Sequence, residues 1–339
     1  MGRDLLLAAA RLRMTPHRIL VTGTDGMVGR WVTDLLVAEG HHVIGVDKRD
    51  LTESRPGYDK HVLNILDRDG LLALFAAEQP EAVVHLAART DLDGETLKDY
   101  DDNITGVRNV CDAVRATGSV QRAIYTSSQL VCEIGYTPAS DTDYKPTTVY
   151  GESKVRTEQI TREEDGGGVT WCITRPTTVW GPHMSEHYQS LLRYIQQGRY
   201  FHAGRSPLHK SYAYAANIAH QYRQMLLADT EAIHGKTFFL ADYEPLSLRA
   251  YTDGLQKRLG AKPIPTMPLP LARALAKTGD LLNAAGLRRF PFNSFRLNNI
   301  LTEYVIDLSA TEAVCGPLPV GFEQGVDETA AWFLAKENS

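Results

Sequence analysis

His17-Arg18-Ile19-Leu20-Val21-Thr22-Gly23-Thr24-Asp25-Gly26-Met27-Val28-Gly29 is the stretch that decides the fold. Its first half is a short apolar run closed by a glycine, the pattern of a buried strand. Its second half places glycines at 23, 26 and 29, and a helical pattern through Trp31, Leu35, Leu36 and Ala38 follows. Glycines between a strand and a helix let the backbone come close to a phosphate, and the helix N-terminus adds free N–H groups and a positive dipole end. The order strand, glycine turn, helix predicts a cradle for a pyrophosphate.

The next strand, His42 to Val46, ends in Asp47. A carboxylate at that tip accepts hydrogen bonds from adenosine ribose hydroxyls and repels a 2′-phosphate, which favours NAD. Lys48 and Arg49 follow at once, so NADP stays open as the alternative. Ala82 to Ala88 and Ala123 to Ser128 read as two more buried strands, with helical patterns at Leu71 to Glu78 and Tyr100 to Thr117 between them. Another strand, Val169 to Thr174, follows the break Gly166-Gly167-Gly168. This alternation predicts an α/β fold with a doubly wound parallel sheet of Rossmann type. His85, inside an apolar strand, reads as a packed core histidine.

At 339 residues the chain is long enough for one large domain or two smaller ones. A net charge of -5 and a pI near 6.1 exclude a nucleic-acid-binding surface, which needs clustered Lys and Arg. Cys111, Cys132, Cys172 and Cys315 follow no metal-ligand spacing and read as reduced, buried thiols of a cytoplasmic protein; no metal is expected. No apolar run approaches the ~20 residues that cross a bilayer. Residues 1–16 form an extension, read as a loosely docked amphipathic helix, with an interfacial membrane contact as the second reading.

Thr147-Thr148-Val149-Tyr150-Gly151-Glu152-Ser153-Lys154 carries the chemistry. If this run opens a helix, Tyr150 and Lys154 share one face. An ammonium beside a phenol favours the ionised form and lowers its pKa, which makes Tyr150 a candidate general base or acid near neutral pH.

Taken in order, Thr22-Gly23-x-x-Gly26-x-x-Gly29, Asp47, His85-Leu86-Ala87-Ala88, Asn103 with Gly106, Ser127-Ser128, Tyr150-x-x-x-Lys154 and Arg175-Pro176 leading to Trp180-Gly181-Pro182 resemble the extended short-chain dehydrogenase/reductase family, and within it the NAD-dependent nucleotide-sugar epimerase/dehydratase group. The resemblance runs from about residue 17 to 183 and continues weakly to the C-terminus. It implies that Ser128 bonds the reacting oxygen, that Tyr150 moves its proton, and that Lys154 binds the nicotinamide ribose and lowers the tyrosine pKa. It implies further that Met27 and Val28 lie in the pyrophosphate turn and Asn64 and Ile65 along the adenine. Leu86, Ala87, Ala88, Asn103 and Thr126 would line the rest of the cofactor, with Pro176 near the nicotinamide. The domains implied are a cofactor-binding unit over 17–182, with returns near 211–228 and 237–241, and a smaller, mainly substrate-binding region over 183–339. A homodimer through the helices around 103–118 and 150–164 is implied as well.

Two departures bear on the reaction. Gln129 and Leu130 stand where the family's dehydratases carry Asp-Glu, and neither exchanges a proton usefully, which counts against a dehydratase. Thr178 replaces an Asn that touches substrate phosphates in many members. Thr178, Arg205, Lys210 and Arg296 are the candidate substrate contacts, with Lys210 near the place of an arginine that grips the diphosphate. The leading expectation is a UDP-sugar 4-epimerase working through a transient keto-sugar. The second is a dehydrogenase or ketoreductase acting on a sugar or hydrophobic alcohol. A non-catalytic NAD-binding scaffold is third.

Overall fold

The computed structural model describes residues 18–286 and 292–337. The extension 1–16 lies outside the described residues, as does Leu287, which with Leu271, Leu281 and Leu282 reads in the sequence as the apolar side of an amphipathic helix. Strands β1 (Arg18–Thr22), β2 (His42–Asp47), β3 (Tyr58–Val62), β4 (Ala82–His85), β5 (Arg122–Thr126) and β6 (Thr170–Pro176) are followed by β7 (Thr178–Trp180), β8 (Tyr212–Tyr214) and β9 (Lys236–Leu240). Seven of them form one sheet in the order β9-β6-β5-β4-β1-β2-β3, with every neighbouring pair parallel. β1 and β4 are apolar nearly throughout because helices cover both faces of the sheet.

Helices α1 (Met27–Ala38), α2 (Arg68–Glu78), α3 (Asp101–Ala116), α4 (Val149–Glu163) and α6 (Ala215–Leu227) supply those covers, while α5 (Glu186–Gln196) packs in the second half. On one face Val32 and Leu36 of α1 pack with Ile218, Tyr222 and Met225 of α6 against Ile19, Val21 and Val84. On the other, Leu71, Phe75, Val107, Val110, Val114 and Ile160 from α2, α3 and α4 enclose Leu20, Val83 and Ile173. Each such fully buried side chain contributes about 1.5–3 kcal/mol relative to exposure. The strand order reverses direction between β1 and β4, so a crevice opens beyond their C-terminal ends, where ligands of such sheets bind.

The second half builds a separate core around Trp180, Leu192, Tyr214, Tyr251, Val326 and Phe333. β7 pairs with β8, and His209-Lys210 pairs antiparallel with Leu246-Ser247. Helix α7 (Leu248–Arg258) and the closing helix, α10 (Phe322–Glu337), pack on this core. Between them, α8 (Leu269–Ala284) buries Ala272, Ala276 and Gly279 while leaving Leu271 and Leu281 exposed, and α9 (Ser294–Leu301) exposes Phe295.

Candidate active site

Helix α4 starts where the Thr148 side chain accepts a hydrogen bond from the Gly151 backbone N–H at 3.0 Å, so Tyr150 falls in the first turn. Gly151 lets this turn press against the chain after β5, since a Cβ there would come within 2.2 Å of the Leu130 carbonyl oxygen. That contact brings the buried Tyr150 phenol into the neighbourhood of the Ser128 hydroxyl, which favours its ionised form, and the same hydroxyl accepts from the Leu130 N–H at 3.1 Å. One turn along the same face, Lys154 is buried and its Nζ donates to the Thr126 carbonyl at 2.8 Å. The three polar groups meet at the C-terminal edge of the sheet.

The electrostatics correct one expectation. Burial pushes the Tyr150 phenol up to about 12 despite the downward pull of the Ser128 hydrogen bond, and Tyr188 and Tyr100 add to the rise. Burial also pulls Lys154 down to about 8, opposed by Glu158. Lys154 does not lower Tyr150 in the polypeptide alone, because its ammonium is aimed at the Thr126 carbonyl and desolvation dominates both groups. A titration of tyrosinate absorbance on the cofactor-free protein should therefore match between wild type and Tyr150→Phe below about pH 10. A Tyr150-dependent signal near neutrality would contradict this. His85 is a core residue as expected, its imidazole pulled down to about 3 by burial and by Lys154, with Nδ1 2.8 Å from Thr22 Oγ1.

The cradle is present in detail. Gly23 has a φ of +78°, and a Cβ there would meet the Ala87 backbone N at 2.8 Å. Gly26 begins α1 without a side-chain cap, leaving the helix's first-turn N–H groups at the crevice next to Met27 and Val28. A Cβ on Gly29 would lie 2.1 Å from the Gly23 carbonyl oxygen, so α1 can lie against β1 only with glycine here. Gly29→Ala should displace the helix, cost about 1–3 kcal/mol of stability and weaken NADH binding at least tenfold. Both are read by denaturation and by NADH fluorescence titration, and an unchanged affinity would contradict the cradle.

Asp47 ends β2 with one oxygen accepting from the Asp25 N–H at 3.0 Å and the other from the Arg49 N–H at 3.0 Å and Nε at 3.2 Å. Arg49 thus folds back on the carboxylate, and Lys48 pairs with Asp102 at 2.5 Å. Leu86, Ala87 and Ala88 follow β4 half-buried, with Thr22 Oγ1 accepting from the Leu86 and Ala87 N–H groups. Asn103 is fully engaged, bonding both backbone groups of Arg89 and the Ser153 hydroxyl, so it positions the loop after β4. Asn64 caps its own turn through the Leu66 N–H. Buried Ile65 lies under Gly106, where a Cβ would meet its Cδ1 at 2.5 Å. Pro176 closes β6. These groups fit a dinucleotide: uncapped N–H groups for the phosphates, a carboxylate for the ribose and a half-buried crevice between.

The substrate side differs from its sequence expectation. Lys210 is buried, and its ammonium donates to the carbonyls of Asn299 (2.8 Å) and Thr302. Arg205 and Arg296 are exposed on the surface of the second half. Thr178, half-buried on β7, lies beside the phenols of Tyr188 and Tyr212 and favours their ionised forms. With Tyr100, whose ring centroid is 5.9 Å from that of Tyr150, these make an aromatic, hydroxyl-bearing flank that sequence reading missed. The residues come from four separate elements, so no local motif announces them.

Comparison with known proteins agrees with this geometry. The chain is 26% identical over 280 residues to the 4-hydroxy-2-methyl-3-oxo-4-farnesyl-3,4-dihydroquinoline-1-oxide ketoreductase of Stigmatella aurantiaca, covering 78% of this chain and 80% of that protein. It is 28% identical over 249 residues to a 3 beta-hydroxysteroid dehydrogenase/Delta 5-->4-isomerase of Mycobacterium tuberculosis, covering 68% of this chain and 66% of that protein. The UDP-glucose 4-epimerase of Bacillus subtilis is 28% identical over 185 residues, covering 49% of this chain and 54% of that enzyme. In fold, the chain superposes on the Thermus thermophilus UDP-glucose 4-epimerase in complex with NAD with a TM-score of 0.70 at 19% identity, over 94% of this chain and 99% of that one. A sequence model of the NAD dependent epimerase/dehydratase family matches residues 19–239. That span takes in the glycine cradle, Asp47 and the Ser128, Tyr150 and Lys154 cluster: the protein is an enzyme of the NAD-dependent epimerase/dehydratase family, with NAD as its cofactor.

Proposed function

We propose that the protein is an NAD-dependent oxidoreductase interconverting a secondary alcohol and a ketone on a largely apolar molecule. The reaction centre is carried by one observation: the Ser128 hydroxyl beside the buried Tyr150 phenol, with buried Lys154 one turn away. NAD, when bound, supplies the hydride acceptor or donor at the substrate carbon. In reduction the Tyr150 phenol gives its proton to the carbonyl oxygen, and in oxidation the phenolate left by loss of that proton takes the hydroxyl's. The Ser128 hydroxyl orients that oxygen, and Lys154 holds its charge against the Thr126 carbonyl beside the crevice.

The choice among family reactions rests on the substrate side. A nucleotide-sugar needs cations for its diphosphate, and the candidate at Lys210 is buried with two of its three N–H donors on backbone carbonyls. Tyr100 and Tyr188 lie beside Tyr150, Tyr212 lies beside Tyr188, and elsewhere in the second half α8 and α9 leave Leu271, Leu281 and Phe295 exposed. In sequence, the ketoreductase and the steroid dehydrogenase align over more of the chain than the Bacillus subtilis 4-epimerase does. C4 epimerisation of a UDP-sugar uses the same three catalytic groups and is the competing reading. Assaying purified protein with NADH against a panel of apolar ketones and UDP-sugars separates them. Consumption of NADH with a ketone supports the proposal; a C4 epimer formed without net NADH change overturns it.

A further inference from the structure

Between Gly23 and Gly26 the cradle turn carries Thr24 and Asp25, both buried. The Asp25 side chain has no exposed surface, and its Oδ2 lies 2.7 Å from Nζ of Lys60 on β3, a side chain only 4% exposed. The same Oδ2 accepts from the Leu51 N–H at 3.0 Å, and Oδ1 accepts from Thr52 Oγ1 at 2.7 Å. Beside this pair the Tyr58 hydroxyl donates to Thr24 Oγ1 at 3.1 Å, its ring lying where a Cβ on Gly45 would strike it. One network thus ties the cradle to β3 and to the loop before it. Burial pushes the Asp25 carboxyl up, yet Lys60, Thr52 and the Leu51 N–H together hold it below its usual range, so it stays ionised.

Drying two charges is expensive, so a buried ion pair beside a turn that itself asks only for glycine is poorly explained by stability. Its position offers a better reason. The Asp25 N–H donates to Asp47 Oδ2 at 3.0 Å. Across the β2–β3 ladder Gly45 faces Lys60 and Asp47 faces Val62, so Lys60 and Asp47 share one face of the sheet. Lys48 and Arg49, at the tip of β2, are paired with Asp102 and Asp47 and are half-exposed, where water screens them. Of these three cations Lys60 is the one that solvent does not screen.

We propose that Asp25 and Lys60 are positioning residues for the choice of cofactor. Asp25 cancels the Lys60 charge and holds its N–H on Asp47, so an adenosine 2′-phosphate meets the Asp47 carboxylate with no uncancelled cation behind it.

The test is fluorescence titration of NADH and NADPH into the purified full chain, as wild type, Asp25→Asn, Lys60→Gln and the two combined. The cofactors differ only in the 2′-phosphate, so their affinity ratio cancels whatever acts on the shared remainder. Wild type should bind NADH more tightly. Asp25→Asn leaves the ammonium uncancelled and should move the ratio toward NADPH by about tenfold. Lys60→Gln leaves the carboxylate uncancelled and should move it about as far toward NADH. A purely structural role would weaken both cofactors alike in each variant and leave the ratio still. The combined variant is uncharged and keeps hydrogen-bonding groups, so it should fold, with a ratio within about threefold of wild type. Equal wild-type affinities, a ratio unmoved in both single variants, or shifts of one sign would each overturn the assignment. Should a single variant fail to fold, the combined one still decides, because loss of its NADH preference overturns the assignment as well. The pair concerns the cofactor alone, so it stands or falls apart from the choice between ketone and UDP-sugar.

Discussion

Tyr150→Phe should abolish nearly all turnover, lowering kcat on the order of 10²–10⁴-fold, the range of a single general acid–base group. The substitution removes one oxygen from a ring that is 7% exposed and packed 5.9 Å from Tyr100, so the fold and the cradle should be untouched. NADH affinity is therefore expected to stay within about twofold. Steady-state rates paired with an NADH titration check both halves. A variant that keeps more than about a tenth of wild-type kcat would remove Tyr150 from the proton path.

The second large effect is on stability. Glu158 lies one turn beyond Lys154 on α4 and receives Arg175 in two bonds, Nε to Oε1 at 2.7 Å and Nη2 to Oε2 at 2.8 Å. Both side chains are essentially unexposed, at 1% for Arg175 and 0% for Glu158. The Tyr144 hydroxyl donates to Glu158 as well, and Arg175 reaches the Asp141 carbonyl at 2.5 Å. The pair thus ties α4 and β6 to the loop over 141–148 that leads into Tyr150. Glu158→Ala leaves a buried guanidinium without its anion, which costs about 3–5 kcal/mol. It also removes the charge that opposes the fall in Lys154 pKa, so Lys154 should lose part of its cationic character near neutral pH. Urea denaturation gives the stability, and a loss under about 1 kcal/mol would show the pair to be replaceable. Replacing both partners with apolar residues should recover much of the loss, because the isolated charge, rather than the missing bond, is the expensive part.

What the sequence disclosed and what it hid divides along contact range. The cradle was legible because strand, turn and helix are consecutive, and glycine is needed there for reasons local to the turn. Asp47 was legible as the tip of a strand, and Tyr150 and Lys154 as neighbours on one helical face. The ionisation of Tyr150 was misread, since a spacing of four says which groups are near and nothing about how dry they are or where the ammonium points. Lys210 was harder still. The carbonyls that absorb its charge belong to residues 89 and 92 positions later, so a cation that looks available in sequence is committed in the fold. Glu158 completes a stripe with Tyr150 and Lys154 that spacing alone offered, yet its meaning depends on Arg175 across the core. Gln129 was read only as something other than a dehydratase acid; its bare oxygen is visible only once the surrounding atoms are placed.

The central claim is that hydride and proton are exchanged beside Tyr150 with net redox change. The most direct measurement follows the label from NADH carrying deuterium at carbon 4 during reduction of an apolar ketone, with Tyr150→Phe as the control. One deuterium on the carbinol carbon for each NAD formed, and none with the variant, is the result predicted. Label retained in the cofactor while the carbon configuration of a UDP-sugar inverts would contradict it.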